Sequence, residues 1–234
     1  MLLHKIAALV AAIAVTLPAS AQFSNSGSSS SSADLCKSYN RIGVSYTNTG
    51  LSANKEYEFI EDKDHISLNG FAVDYIHGFS LSKTLPMFIE TGVKANFGFG
   101  SVKYDDDYYE KLLMQNISLS VPVNFAYKFG ISDNVSITPY IGLNLKLHLL
   151  GRVKYEYEDE YDDEESEWYN VFSKDDMDDE TWNRFQLGWH IGAGVNIKKL
   201  YLGVSYGTDF IKAFKYEDAS VNSGNLSATI GYTF

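Results

Sequence analysis

The final nine residues of the chain alternate strictly between apolar and small polar side chains. One face of the resulting strand carries Leu226, Ala228, Ile230, Tyr232 and Phe234, and the other face carries only serine, threonine and glycine. In water such an apolar strand would be a liability, because exposed apolar edges promote aggregation. The pattern instead favours a strand whose apolar face meets lipid and whose polar face points into a barrel lumen.

The same two-residue period recurs in seven earlier segments, beginning near Tyr39. These segments have roughly the ten-residue length that a tilted strand needs to cross a bilayer. Three connections are short, residues 82–86, 130–134 and 198–200, and four are long and polar, residues 52–64, 105–111, 156–181 and 210–223. The alternation predicts an all-β fold: an eight-stranded antiparallel up-and-down transmembrane β-barrel with its short turns in the periplasm.

Two soluble folds are the alternatives to this prediction. A β-sandwich would also alternate, but one face of each sheet would be charged, whereas the second face here is mostly Gly, Ser, Thr and Asn. A soluble ligand-binding barrel would place its apolar face inside and expose glycine-rich strands to water. Both alternatives fit the pattern less well than a membrane barrel.

The N-terminal region has the layout of a secretory signal peptide. A basic start is followed by an apolar run from Ile6 to Leu17 and a small-residue cleavage site after Ala21. The run is shorter than the roughly 20 residues of a membrane-spanning helix. We therefore predict a signal peptide at residues 1–21, a flexible Ser-rich linker at 22–38, and the barrel at 39–234. The lone cysteine, Cys36, is expected to be a free thiol in the mobile tail.

The net charge of -11 comes from one segment. Residues Glu156 to Glu180 contain 14 acidic residues and one lysine, so the rest of the chain is nearly neutral and has no basic surface for nucleic acid. This segment also carries aromatic residues that we take as candidate contacts with an extracellular ligand or host surface: Tyr157, Tyr161, Trp168 and Tyr169. A merely solvated loop and a divalent-cation site are the alternatives, although no calcium-loop spacing is present.

Charged residues recur on the face that we assign to the lumen: Arg41, Asp74, Glu90, Lys94, Lys128 and Lys146. If residues 82–86 form a turn, Asp74 and Lys94 lie opposite each other across one strand pair. Eight strands leave an interior just wide enough for side chains, so we predict an ion-pair network that plugs the lumen. An ion or proton pathway is the alternative.

Two further features of the strands could carry chemistry. His148 and His190 share the lumen face with Asn144, but neutral hydrogen-bonded histidines are a simpler interpretation than a metal site. Residues 203–207 fit the G-x-S-x-G nucleophile pattern, yet Ser205 falls in mid-strand, whereas a nucleophile elbow needs a strand, a sharp turn and a helix. We predict no catalytic residue, no metal and no cofactor.

Five segments resemble the outer-membrane β-barrel domain family of Gram-negative bacteria, the porin or PorT-like family akin to small OmpA/OmpX-type barrels. They are residues 119–129, 139–142, 187–195 and 201–207 and the closing Tyr232-Thr233-Phe234. The resemblance implies residence among outer-membrane lipid and lipopolysaccharide. It also implies insertion by the barrel-assembly machinery, which reads a C-terminal signal at Ile230, Tyr232 and Phe234. It implies no single activity.

Together these features predict an exported integral protein of the cell outer membrane with a plugged polar lumen. Its expected role is structural, or one of surface interaction and adhesion through the long extracellular loops. A narrow porin-like channel is the first alternative, and a lipid-modifying outer-membrane enzyme is the second.

Overall fold

The computed structural model describes residues 35–53, 66–105, 109–158, 167–177, 182–216 and 219–234. Eight long strands are β1 (Tyr39–Ala53), β2 (Ile66–Ser80), β3 (Met87–Asp105), β4 (Tyr109–Tyr127), β6 (Val135–Glu158), β8 (Phe185–Ile197), β9 (Leu200–Asp209) and β11 (Ala219–Thr233). Three short strands are β5 (Phe129–Ser132), β7 (Tyr169–Asn170) and β10 (Phe214–Tyr216). The described residues contain no helix that is long and apolar enough to cross a bilayer.

The eight long strands form a closed ring. Each pairs antiparallel with the next, in the order β1-β2-β3-β4-β6-β8-β9-β11, and β11 pairs back onto β1. The closing ladder is long, running from Arg41 opposite Thr233 to Ala53 opposite Val221. The short strands add to single neighbours: β5 and β7 pair with β6, and β10 pairs with β11. The predicted eight-stranded up-and-down barrel is therefore confirmed, and closure leaves its long strands without a free edge.

Polarity is inverted relative to a water-soluble protein. Large apolar side chains cover the outside, and Val204 and Ile230, for example, are 59% and 56% exposed. The most deeply buried charged side chain is Glu90, which is 0% exposed, and Arg41 and Lys146 are also buried inside the ring. Lipid is the solvent that makes both placements favourable, because it solvates the apolar face and leaves the charges in a polar interior.

Polar residues mark the two edges of this outer apolar belt. At the long-loop end, the Tyr46 hydroxyl donates to Asn69 Oδ1 at 2.6 Å. At the short-turn end, the Tyr75 hydroxyl donates to Asn40 Oδ1 at 2.7 Å, and His77 Nδ1 lies 2.7 Å from the same oxygen. Tyrosines with an apolar ring and a hydrogen-bonded tip are typical of membrane interfaces.

The strands extend further beyond the belt than the sequence pattern predicted. The β3–β4 ladder continues to the pair Asp105 and Tyr109, so most of the expected loop at 105–111 is strand. Similarly, β6 continues to Glu158 and β11 begins at Ala219. The extension follows from alternating residues such as Val102, Leu112 and Met114, which keep an apolar face turned inward above the belt.

The end of the predicted linker is ordered. Cys36 is only 7% exposed, so the thiol expected in a mobile tail is buried. Leu35 lies close to β5, where a side chain added at Gly130 would come within 2.8 Å of Leu35 Cδ1. Residues 35–38 therefore pack against the short-turn end of the barrel, whereas residues 1–34 lie outside the described residues.

Candidate functional site in the barrel lumen

A buried carboxylate organises the short-turn end of the lumen. Glu90 of β3 accepts a hydrogen bond from the Tyr39 hydroxyl at Oε1. Arg41 Nη1 lies 3.4 Å from the same oxygen and forms an ion pair with it. Asn124 Nδ2 donates to the other oxygen, Oε2, at 3.2 Å. These partners come from β1 and β4 and converge on Glu90 across the interior of the barrel.

Aromatic rings pack around this carboxylate. The Arg41 guanidinium lies 3.9 Å from the ring centroid of Tyr201, and the Tyr39 ring meets Phe88 edge to face at 5.2 Å. The Tyr201 ring packs against strand positions that are occupied by glycine. At the first of them, Gly194, an added Cβ would come within 2.1 Å of the ring, so a larger residue there would displace it. The second of these positions is Gly203. We call Tyr39, Arg41, Phe88, Glu90 and Tyr201 the short-turn plug.

Lys128 belongs to the same region. Its Nζ lies 4.1 Å from the Tyr39 ring centroid and 5.0 Å from that of Phe88. Both distances allow a cation–π contact. The predicted network members Arg41, Glu90 and Lys128 therefore lie in one region, and each of the two cations also contacts an aromatic ring that was not predicted.

The strand pair at mid-height has the register that the sequence predicted. Asp74 and Lys94 are directly opposite each other in the β2–β3 ladder. Lys94 Nζ donates to Ser227 Oγ at 3.2 Å across the lumen, and the Asp74 carboxylate packs over Gly43. The register is confirmed, and the role of the pair stays a prediction.

Lys146 has a partner that the sequence analysis missed. Its Nζ lies 2.7 Å from Asp209 Oδ2, and both side chains are at least nine-tenths buried. Asp209 directly precedes the predicted long connection at residues 210–223 and was not among the residues predicted to lie in the lumen. Side chains alternate between the two faces of a strand, so Asp209 lies on the same face of β9 as Tyr201 and Ser205. This alternation could have placed Asp209 in the lumen from the sequence.

Both lumen histidines are hydrogen-bonded to amide side chains. His148 Nε2 lies 3.0 Å from Gln186 Oε1, and its Nδ1 lies 2.8 Å from the Asn116 amide nitrogen. His190 Nε2 lies 2.7 Å from Asn124 Oδ1. Among the described residues, no group of three or more His, Cys, Asp or Glu side chains could hold a metal ion.

Ser205 lies in the middle of β9, opposite Ser227 on one side and Gly192 on the other. It is paired into two antiparallel ladders, so it is not at the turn between a strand and a helix that the G-x-S-x-G pattern requires. Asn144 lines the same chamber of the lumen.

An apolar cluster closes the long-loop end of the barrel. Its contributors from outside the eight long strands are Val171, Phe172, Trp182, Ala213 and Phe214, which we call the long-loop cap. They pack against inward-facing residues above the apolar belt, namely Leu51, Ile66, Leu68, Leu112, Met114, Val153 and Val221. The interior therefore changes from polar to apolar at about the level where the outside changes from apolar to polar.

The candidate contact residues of the acidic segment are only partly described. Tyr169 lies on β7 and is 42% exposed, and Trp168 has the Arg152 guanidinium 4.4 Å from its ring centroid. Tyr157 lies on β6, but its side chain and the whole of Tyr161 lie outside the described residues.

At the first residue of this segment, Glu156 links the neighbouring strands β4 and β6 through an ion pair with Lys111. The hydrogen bond from Lys111 Nζ, at 3.2 Å, lowers the pKa of Glu156. Lys154 Nζ lies 3.4 Å from the other carboxylate oxygen. These exposed ion pairs contribute little to stability.

Comparison with known proteins identifies the family. Residues 21–215 match a family described as outer membrane protein beta-barrel domain. The chain belongs to this family. The protein is therefore an outer-membrane β-barrel, and its apolar belt meets membrane lipid. In bacterial barrels generally, the short turns face the periplasm and the long loops face outward.

Several solved structures resemble the chain weakly. Ail, the attachment invasion locus protein of Yersinia pestis, in complex with the heparin analogue sucrose octasulfate, is 13% identical, covering 85% of this chain and 99% of that chain, with a TM-score of 0.41. OprG from Pseudomonas aeruginosa is 10% identical, with 84% and 96% covered and a TM-score of 0.38. The outer membrane enzyme PagL is 12% identical, with 81% and 98% covered and a TM-score of 0.36. No curated protein sequence matches the chain.

Proposed function

We propose that the protein is a non-conducting barrel that acts at the cell surface, in a structural or adhesive role, through the rim at its long-loop end. The observation that supports this proposal is a cluster of packed side chains at each end of the described lumen. The short-turn plug fills one end with rings around a buried carboxylate, and the long-loop cap fills the other with apolar side chains. A molecule or ion could cross only if both clusters moved.

The first test is electrical. Protein reconstituted into planar bilayers is expected to give no steady single-channel steps, because the short-turn plug and the long-loop cap fill the two ends of the described lumen. A triple variant, Tyr39→Ala, Phe88→Ala and Phe172→Ala, removes side chains from both closures and is the positive comparison. Steady, sizeable steps from the unmodified protein would support the narrow porin-like channel instead.

The chemistry of the rim favours a positively charged partner. The segment from Glu156 to Glu180 carries 14 acidic residues against one lysine, so it repels polyanions. Trp168 and Tyr169 add large amphipathic rings of the kind that anchor protein contacts. A divalent cation held by these carboxylates is a second candidate, supported only by their density.

An adhesion assay tests this role. The variant must leave the long-loop cap intact, because two cap residues lie within the acidic segment. Deleting the whole acidic segment would remove Val171 and Phe172 and uncover the barrel. Residues 159–166 hold six of the acidic residues and Tyr161, so replacing them by glycine and serine at equal length is the sharper change. Non-adherent Gram-negative cells displaying the protein are expected to attach to epithelial monolayers, and the replacement is expected to reduce attachment to the level of empty-vector cells. Equal attachment by wild-type and empty-vector cells, at verified surface display, would leave only the structural role.

The catalytic alternative has weaker support. His148 and His190 are hydrogen-bonded to amide side chains, and Ser205 is held in mid-strand. A Ser205→Ala variant and the unmodified protein are expected to leave purified lipopolysaccharide equally unchanged, as monitored by mass spectrometry. Modification by the unmodified protein alone would support an enzyme.

The proposal includes the route to the membrane. Cleavage after Ala21 would leave Gln22 as the first residue of the mature chain, followed by the serine-rich linker and the barrel. The apolar residues Ile230, Tyr232 and Phe234 on the last strand would then serve as the signal for the barrel-assembly machinery. N-terminal sequencing of the protein purified from outer membranes tests the cleavage site.

A further inference from the structure

Three basic side chains lie on the outer face of the barrel wall near its long-loop end. They are Lys111 of β4 and Arg152 and Lys154 of β6, which we call the basic patch. Their sequence neighbours Leu112 and Val153 are buried in the apolar cluster inside the ring. Because side chains alternate along a strand, the residues of the basic patch point outward.

The basic patch begins where the outer apolar belt ends. On β6, Leu147 is exposed and belongs to the belt. Leu150 lies opposite Ile117 in the β4–β6 ladder, and the next outward pair is Gln115 and Arg152. Arg152 is therefore the first charged residue beyond the belt on the outer face of β6. Membrane lipids place their headgroups at this height, just outside the hydrocarbon region.

The Arg152 guanidinium is held in place without being neutralised. Its Nε and Nη2 both donate to Gln115 Oε1, at 2.9 and 2.7 Å, and the Trp168 ring centroid lies 4.4 Å from its Cζ. Both partners are uncharged, and among the described residues Arg152 forms no ion pair with a carboxylate. A guanidinium held in this way loses little conformational freedom when its remaining N–H groups bind an oxyanion.

The two lysines of the basic patch share a single carboxylate. Lys111 Nζ lies 3.2 Å from Glu156 Oε2, and Lys154 Nζ lies 3.4 Å from Glu156 Oε1. With Arg152, three cations therefore stand against one anion, which leaves two positive charges. A phosphate monoester carries a charge of about −1.5 to −2 at neutral pH, so it matches this excess better than a zwitterionic headgroup does.

Acidic residues limit the direction from which an anion can approach. Asp176 accepts a hydrogen bond from the Asn170 amide, and Asn170 is opposite Arg152 in the β6–β7 ladder. In addition, β6 continues to Glu158, further from the belt. These carboxylates repel a soluble anion that comes from the water, whereas a lipid presents its phosphate from the belt.

We propose that the basic patch binds the phosphate monoester of an anionic membrane lipid. Arg152 Nη1 and Lys154 Nζ would hold the phosphate oxygens, and the acyl chains would lie against Leu147 and Leu150. This binding function is separate from the proposed surface role, because it uses the outer wall at the edge of the belt and not the acidic residues of the rim.

Native mass spectrometry of the full-length mature protein in detergent tests the proposal, with phosphatidic acid as the probe and a chelator present to exclude bridging cations. We expect phosphatidic acid to bind more than about tenfold more tightly than phosphatidylcholine with the same acyl chains. The double variant Arg152→Gln with Lys154→Gln is expected to weaken this binding by more than about tenfold. The matched control, Lys174→Gln with Lys198→Gln, removes the same charge at exposed positions outside the basic patch and should bind like the unmodified protein. Equal binding of the two lipids, or of phosphatidic acid to all three proteins, would overturn the proposal.

A second measurement needs no variant and therefore does not depend on the folding of one. In an arginine side-chain NMR spectrum of the protein in phosphatidylcholine nanodiscs, added phosphatidic acid should shift the Arg152 Nε–H signal. Arg41 is buried in the lumen and serves as the internal control. Inorganic phosphate at the same concentration should leave the Arg152 signal in place. No shift at Arg152 with the lipid, or an equal shift with inorganic phosphate, would refute a lipid site here.

Discussion

Replacing Glu90 by alanine is expected to destabilise the barrel by about 3–5 kcal/mol, the range for removing one member of a buried ion pair. The loss is large because Glu90 is fully buried and serves three partners, Tyr39, Arg41 and Asn124. Without it, the Arg41 charge stays in the lumen uncompensated. Arg41 Nε already lacks a hydrogen-bond partner among the described residues, so few nearby acceptors remain that could replace the Glu90 carboxylate.

The free energy of unfolding can be measured by urea titration in lipid vesicles, with the gel-mobility change on boiling as the readout of the closed barrel. Glu90→Gln keeps the shape and can still accept a hydrogen bond, so it should lose less stability than Glu90→Ala. The double variant Arg41→Met with Glu90→Met removes both charges and should recover much of the loss. If Glu90→Ala were as stable as Glu156→Gln, an exposed substitution, the short-turn plug would not be a stabilising element.

Replacing Val204 by arginine is expected to cost about 2–4 kcal/mol, the range for a cation placed on the lipid side of a barrel near the bilayer midplane. Val204 is 59% exposed and lies in the middle of β9. In a soluble barrel the same change would put a charge into water and have little effect. The measurement is the same urea titration in vesicles.

Asn48→Arg is the matched control, because Asn48 lies on the outside of β1 beyond the apolar belt and already hydrogen-bonds Asn69 there. Arginine at that height can reach headgroups and water, so the cost should be small. Equal stability of the Val204→Arg and Asn48→Arg variants would contradict the assignment of lipid to the outer face.

The strands and the local register could be predicted from the sequence. Side chains on a strand alternate with a fixed period of two, so a short turn at residues 82–86 is sufficient to place Asp74 opposite Lys94. The apolar outer face could be predicted in the same way, because it follows from the alternation within each strand. Each long strand carries it independently, so an error in one strand would not have changed the overall prediction.

Contacts across the lumen could be predicted only as shared membership of one charged network, with Arg41 and Lys128 as alternative partners of Glu90, and not as definite pairs. Glu90 on β3 and Arg41 on β1 are not on adjacent strands, and their contact depends on the stagger of the whole closed sheet. Lys146 and Asp209 are likewise separated by two strand pairings. The long-loop cap was missed for another reason: Val171 and Phe172 lie within an acidic segment whose average composition is typical of solvated loops.

The pairing of β1 with β11 has a consequence for biosynthesis. A ribosome delivers β11 after all the other described strands, so the outer edge of β1 has no partner until translation of the domain is nearly finished. During that interval the open barrel exposes the unpaired backbone amides and carbonyls of β1, together with its apolar outer face, to water. A barrel that closes late is therefore expected to pair with other copies through this open edge unless they are kept apart until β11 joins β1.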